Sequence, residues 1–254
     1  MKYLPKLTAM ALSVAMAASL AACSSSDPSA SPAQSAGGDT GTQGGQDSYT
    51  IGVCQQMQHE ALDAATQGFQ DALKEKLGDQ VEIKVENASG DSNNCNTIVG
   101  SFVSNGVDLI MANGTTALQA AASATEDIPI LGTSITEYGV ALGLNDFDGV
   151  TGFNVSGTSD LAPLDEQAAM LQTWFPDAEK VGLLSCSAEP NSAYQVSAVQ
   201  GYLEEMGYTC TSYTFSDSND LAAVAESACA AEDVLYIPTD NTAAQNAELI
   251  GNIA

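Results

Sequence analysis

Hydroxyls, amides and a pair of carboxylates recur wherever an apolar run of this chain gives way to a helix. In the first half these are Gln55, Gln56, His59, Asn113, Thr115, Thr116, Ser134 and Thr136. In the second they are Ser187, Glu189, Asn191, Ser192, Thr239, Asp240 and Asn241. The set is mostly neutral and holds no lysine or arginine. A ligand carboxylate would have to rest on hydroxyls and on helix N-terminal N–H groups, which suffice for one anion. Asp240, directly after the apolar run VLYIP, suits a ligand ammonium, with Glu189 as the alternative. Such a set fits a small zwitterion such as an amino acid. Singly, Thr115, Thr116, Ser192, Asp240 and Thr242 read equally well as helix caps. Their convergence on one edge is what favours binding.

Covalent or metal chemistry finds little support. The nucleophile pattern G-x-S-x-G, the phosphate loop and the dinucleotide fingerprint are absent from the sequence, so no enzyme class and no cofactor is indicated. Cys54 lies five residues from the single histidine, His59, which makes their proximity cheap and uninformative. Among 32 acidic residues, any pair chosen from carboxylates such as Asp160, Asp165, Glu166, Glu189 and Asp240 is expected by chance. No cysteine or histidine spacing suggests a metal site. The charge of −26 is carried against only 6 lysines and no arginine, which excludes nucleic acid as a partner.

The elements that must position these residues begin after a leader. Residues 1–22 read as a signal peptide: Lys2 and Lys6 precede an apolar core, Leu7–Leu20, too short to span a bilayer. Leu20-Ala21-Ala22-Cys23 resembles a bacterial lipobox, which implies a lipid on Cys23. Residues 23–48, rich in Ser, Gly, Asp, Thr and Gln, have the composition of a flexible tether. From Tyr49 onward, buried strands alternate with amphipathic helices, which indicates parallel α/β sheets. Lys180–Ala247 repeats the order of Thr50–Ala120: strand, polar turn, helix ending in Gly (Gly78, Gly207), alternating strand, polar loop, helix, buried strand. Two similar lobes follow, residues 49–144 and 161–254, with residues 145–160 as the crossover and a cleft between facing polar turns. The first lobe has a fourth strand for which the second has no counterpart, so the second lobe reads as C-terminally incomplete. Beyond Cys23 there are five cysteines. Cys54 with Cys95, and Cys210 with Cys229, are candidate disulfides, leaving Cys186 odd.

From Thr50 to the end the chain resembles the ABC-transporter substrate-binding lipoproteins of the tryptophan/tyrosine-binding type. The residues that carry the likeness are IGVCQQMQHEALDAATQGFQDAL (Ile51–Leu73), VSNGVDLIMANGTTALQAA (Val103–Ala121), IPILGTSITEYGVAL (Ile128–Leu142), NVSGTSDLAPL (Asn154–Leu164), AEPNS (Ala188–Ser192) and IPTDNTAA (Ile237–Ala244). The resemblance implies two Rossmann-like lobes of the type I periplasmic-binding-protein fold, and a solute held between them by hinge closure. It implies an ABC permease and its ATPase as partners, on the outer side of a bacterial cell membrane to which the lipid anchors the chain. Carried over to this sequence, it assigns Thr115, Thr116 and Ser134 to the solute carboxylate and Asp240 to its amine. Gln56, Met57 and His59 would lie near the solute side chain, that of an aromatic amino acid. Beside that carry-over, the polar turn of the second lobe reads as closing over the solute through Glu189, Asn191 and Ser192, with Asn241 a further ligand-binding candidate on the same edge. A sensor that reports the solute to a membrane partner would need the same cleft and is the alternative.

Overall fold

A computed structural model describes residues 48–254. The leader, Cys23 and all but the last residue of the expected tether lie outside the described residues. The YTIGVC run forms β1 (Tyr49–Gln55), and α1 (Glu60–Leu77) follows the polar turn. Glu60 and Asp63 in the first turn of α1 and Lys74 and Lys76 in its last complement the helix dipole. Next come β2 (Val81–Asn87), α2 (Ser92–Ser104), β3 (Leu109–Asn113), α3 (Thr115–Ala124), β4 (Ile130–Ile135), α4 (Tyr138–Leu142) and β5 (Val155–Ser159). The second lobe runs α5 (Leu164–Trp174), β6 (Lys180–Cys186), α6 (Pro190–Glu205), β7 (Thr209–Phe215), α7 (Leu221–Ala231), β8 (Val234–Tyr236), α8 (Asn241–Gln245) and α9 (Ala247–Ile253).

Two all-parallel sheets result, in the orders β2-β1-β3-β4-β5 and β7-β6-β8. The repeat seen in the sequence is therefore a repeat of topology, with β2-β1-β3 matching β7-β6-β8. Its details match too. Asp108, just before β3, accepts from the Thr50 N–H at 2.7 Å, and Asp233, just before β8, accepts from the Glu179 and Lys180 N–H groups at 2.9 Å. Both first strands also carry a glycine at the point of closest helix or strand approach. A Cβ on Gly52 would stand 2.6 Å from the Phe102 ring, and one on Gly182 would stand 2.6 Å from Leu235. One apolar cluster under α2 and α3 forms the first core, while sheet two is covered on one face by α5 and α6 and on the other by α7, α8 and α9.

One boundary read from the sequence needs correction. Residues 145–160 are not simply a crossover, because β5 pairs in parallel with β4 and completes sheet one. Its sequence, VSGTS, has no apolar alternation, since only Val155 is buried. Gly157 passes so close to the Gly132 carbonyl that a side chain could not be accommodated. The disulfide candidates also separate. Cys54 and Cys95 share the first core. Cys210 instead packs on the α5–α6 face of sheet two, whereas Cys229 belongs to α7 on the opposite face, so the sheet itself stands between them.

Candidate functional site

The C-terminal ends of both sheets face each other, which is where open parallel sheets present helix N-termini to ligands. A cavity of about 770 Å³ opens there. Its interlobe part is walled by His59, Ala61, Leu62, Ser134, Thr136 and Asp160 on one side and by Asn191, Thr239, Asp240 and Asn241 on the other. The remainder runs along the free edge of β8 past Val234, Leu235, Ala247 and Ile250, so the volume exceeds that of the cleft alone.

Three hydrogen-bonding contacts join the lobes. His59 Nε2 lies 3.1 Å from Asn241 Oδ1, the Thr136 and Thr239 hydroxyls meet at 3.5 Å, and Gln245 Nε2 donates to the Gln58 carbonyl at 3.3 Å. The first has a fixed sense. Asn241 Nδ2 donates to Glu189 at 2.7 Å, so the oxygen of that amide faces His59, and His59 Nε2 must be the donor.

In lobe two the structure gives the two carboxylates internal tasks. Glu189 is buried and accepts from the N–H and side-chain amide of Asn241 (2.9 and 2.7 Å) and from the N–H and hydroxyl of Thr242 (both 2.8 Å). It thus closes the N-terminus of α8 from outside that helix. Asp240 caps the same helix from within: Oδ1 accepts from Ala243 N–H at 2.8 Å and Oδ2 from Cys186 N–H at 2.7 Å. Burial, and after it the negative charge of Glu189, pushes the Asp240 carboxyl above the usual range. Ser192 is wholly buried and hydrogen-bonds to Asp240, so it too belongs to this scaffold. Glu189 and Ser192 are therefore behind the cleft wall, and Asp240 meets the cavity with both oxygens already engaged. Asn191 differs. The residue lines the cavity, its amide nitrogen donates to the Thr239 carbonyl at 3.0 Å, and its buried Oδ1 has no hydrogen-bond partner.

Lobe one repeats the lesson. Gln56 is buried, and its Oε1 accepts from the Thr116 N–H at 2.9 Å, occupying a donor expected to hold the solute carboxylate. Met57 is buried with its methyl turned to Gly90, away from the cleft. Thr115 is buried, and neither it nor Thr116 lines the cavity. Gln55, Thr66 and Asn113 form a buried chain: Thr66 donates to Gln55 at 2.6 Å and accepts from Asn113 at 2.9 Å, which pins α1 to the strand ends. Ser134 does reach the cavity. The register shift of β4 between Gly132 and Ile135 holds it at φ +56°, a left-handed conformation that costs a non-glycine residue about 1–2 kcal/mol.

Of the residues singled out in the sequence, His59, Ser134, Asn191, Asp240 and Asn241 therefore meet at the cavity, whereas Gln56, Met57, Thr115, Thr116, Glu189 and Ser192 support it. Asp160 was passed over as one carboxylate among many. It follows β5 directly, lines the cleft, and hydrogen-bonds with Thr136. Desolvation by the cleft walls raises its carboxyl above the usual range, although the side chain still meets solvent. No lysine lines this cavity. The signal that could have found Asp160 was its place at the end of a strand, and that strand has no apolar signature.

Residues 50–254 match the family described as ABC transporter substrate binding protein. The chain belongs to this family. A tyrosine-binding protein of Clostridioides difficile (strain R20291) is 36% identical over 207 residues, which are 80% of this chain and 60% of that protein. The chain thus spans less than two thirds of that relative's length. An ABC domain from Streptococcus pneumonia in complex with L-Trp is 32% identical with a TM-score of 0.77, over 81% of this chain and 70% of that one. A ligand-free, open substrate-binding protein with adhesive properties from Clostridium difficile is 36% identical with a TM-score of 0.56, again over 81% and 70%. The substrate-binding protein described here has the type I periplasmic-binding-protein fold, as the two parallel α/β lobes and these neighbours agree. Among its described residues, no helix is long and apolar enough to cross a membrane.

Proposed function

We propose that this substrate-binding protein captures an aromatic amino acid between its lobes and passes it to an ABC permease. The observation that carries the reading is a cleft between two strand-end edges without lysine or arginine, with the Asp160 carboxylate on one wall and bridging hydrogen bonds across it. Asp160 holds the solute ammonium, since it is the cleft carboxylate not engaged by backbone N–H groups of α8. Ser134 holds the carboxylate by hydroxyl donation, Thr136 keeps its hydroxyl on Asp160, and Leu62 with Ala61 supplies apolar contact for the side chain. The tyrosine-binding relative and the L-Trp complex support an aromatic solute.

Binding acts by hinge closure, the ligand favouring the state in which the lobes touch. The higher TM-score against the L-Trp complex than against the ligand-free, open relative, at equal coverage, supports a closed arrangement here. The protein works on the outer face of the membrane, and a lipid on Cys23 holds it there. Thermal-shift titration of the purified protein with the twenty amino acids tests the reading. A ligand at a hundredfold its dissociation constant stabilises by about 2.7 kcal/mol. L-Trp or L-Tyr raises the melting temperature, and absence of any shift with aromatic amino acids refutes the solute assignment.

A further inference from the structure

Cys54 and Cys95 stand apart from every other thiol of the described chain. Cys54 is the next-to-last residue of β1, and strand alternation turns it to the face that α2 covers, as it turns Gly52 toward Phe102 of that helix. Cys95 lies in the first turn of α2. Both are wholly buried in one apolar cluster with Ala88, Val99 and Ala112. Each thiol is the strongest influence on the other, their interaction pushing the Cys54 thiol up and the Cys95 thiol down. The connecting loop is already seated against the site turn, because the Ala88 N–H donates to the Gln55 carbonyl and the Gly90 N–H to the Gln56 carbonyl, both at 2.9 Å.

We propose that Cys54 and Cys95 form a disulfide in the mature protein, a covalent strap that ties the entry of α2 to the end of β1 beneath the site turn Gln55–His59. Closing the pair to a bond of about 2 Å joins two side chains already buried in one cluster. The oxidant is a disulfide reagent of the oxidising compartment, such as oxidised glutathione or a dithiol–disulfide oxidoreductase. One protein thiolate attacks it and forms a mixed disulfide, releasing one thiol. The second protein thiolate then attacks the protein sulfur of that mixed bond and releases the second. The two protein thiols lose two protons and two electrons in all, and the reagent's disulfide becomes two thiols. Because both sulfurs are buried in the folded chain, the exchange takes place during folding, and the finished bond is shielded from reductants. The inference rests on the extracytoplasmic placement proposed above, since such bonds persist in oxidising compartments.

The test is alkylation with iodoacetamide in denaturant, with and without prior reduction, on protein secreted through the oxidising compartment, read by intact mass and by Glu-C peptide mapping. Three of the five described thiols, Cys186, Cys210 and Cys229, alkylate without reduction and all five after it. One peptide pair joins Cys54 to Cys95. The double substitution Cys54→Ser/Cys95→Ser lowers the melting temperature by about 10 °C. Full alkylation of Cys54 and Cys95 without reduction overturns the proposal, whatever the variant does. L-Tyr and L-Trp are included in the same melts. A joined pair with no ligand shift supports the strap and refutes the solute reading, and free thiols with a ligand shift do the reverse.

Discussion

Removing the imidazole of His59 isolates one of the three hydrogen bonds that join the lobes. His59 is half-buried at the N-terminus of α1, with no capping hydrogen bond of its own, and its recorded partner is Asn241 across the cleft. His59→Ala therefore deletes an interaction that exists only when the lobes touch. A neutral hydrogen bond at a partly exposed site contributes about 1 kcal/mol, and a loss of that size from the closed state raises the dissociation constant about fivefold. The whole change falls in the dissociation rate, because the open form that first meets the solute has not yet made the bond. Stopped-flow tryptophan fluorescence with L-Tyr gives both rates, and urea unfolding of the free protein checks that stability moves by less than about 0.5 kcal/mol. In a double-mutant cycle with Asn241→Ala, the coupling is about 1 kcal/mol. Strict additivity, or a loss confined to the association rate, refutes the latch. A second signature follows from Glu189, whose hold on the Asn241 amide aims Oδ1 at His59.

Glu189→Gln places an amide N–H against one of the donors that the carboxylate now satisfies, and costs about 2–3 kcal/mol in urea unfolding of the free protein. Unchanged stability with collapsed affinity would return Glu189 to the solute. Asp160→Asn weakens aromatic amino-acid binding about 10- to 100-fold by calorimetry, the size of a charge-assisted hydrogen bond, with little change in stability. Because the Asp160 carboxyl titrates above the usual range, affinity in the native protein falls as pH drops through that raised value, where the carboxylate takes a proton. In the absence of ligand the sign reverses: a raised carboxyl makes the folded state bind more protons, so its contribution to stability is greatest below the unfolded value near 3.9 and declines as pH rises through the folded one. Asp160→Asn removes both pH dependences, and a pH-independent affinity in the parent protein excludes Asp160 as the amine anchor. Ser134→Gly relieves the left-handed backbone and raises unfolding stability by about 0.5–1 kcal/mol while weakening the solute. A loss of stability would show that the Ser134 side chain supports the fold instead.

The strand–helix order and the two-fold repeat were legible because burial on both faces of a parallel strand leaves an apolar run, and runs such as VGLLS and DLIMA can be read without knowing their partners. β5 was missed for the converse reason. VSGTS lies at the edge of its sheet, and only Val155 is buried. The polar edge was legible as a set and not as individuals. Glu189 and Asp240 were the sensible candidates for an ammonium, yet the donors that occupy them come from residues 52, 53 and 54 positions away in the chain, as well as from within α8. Gln56 is likewise taken by Thr116, 60 residues distant.

Local pattern thus determined what this chain is made of: parallel α/β units, repeated once, with hydroxyls and amides at the strand ends and no cation among them. Tertiary structure decided which of those groups remain free. A buried carboxylate cannot stay unpaired without a heavy desolvation cost, so the backbone N–H groups that folding brings to α8 and β6 satisfy Glu189 and Asp240 first. Asp160 closes a strand at the sheet edge, where no such helix N-terminus converges on it, and so its charge is left facing the cleft.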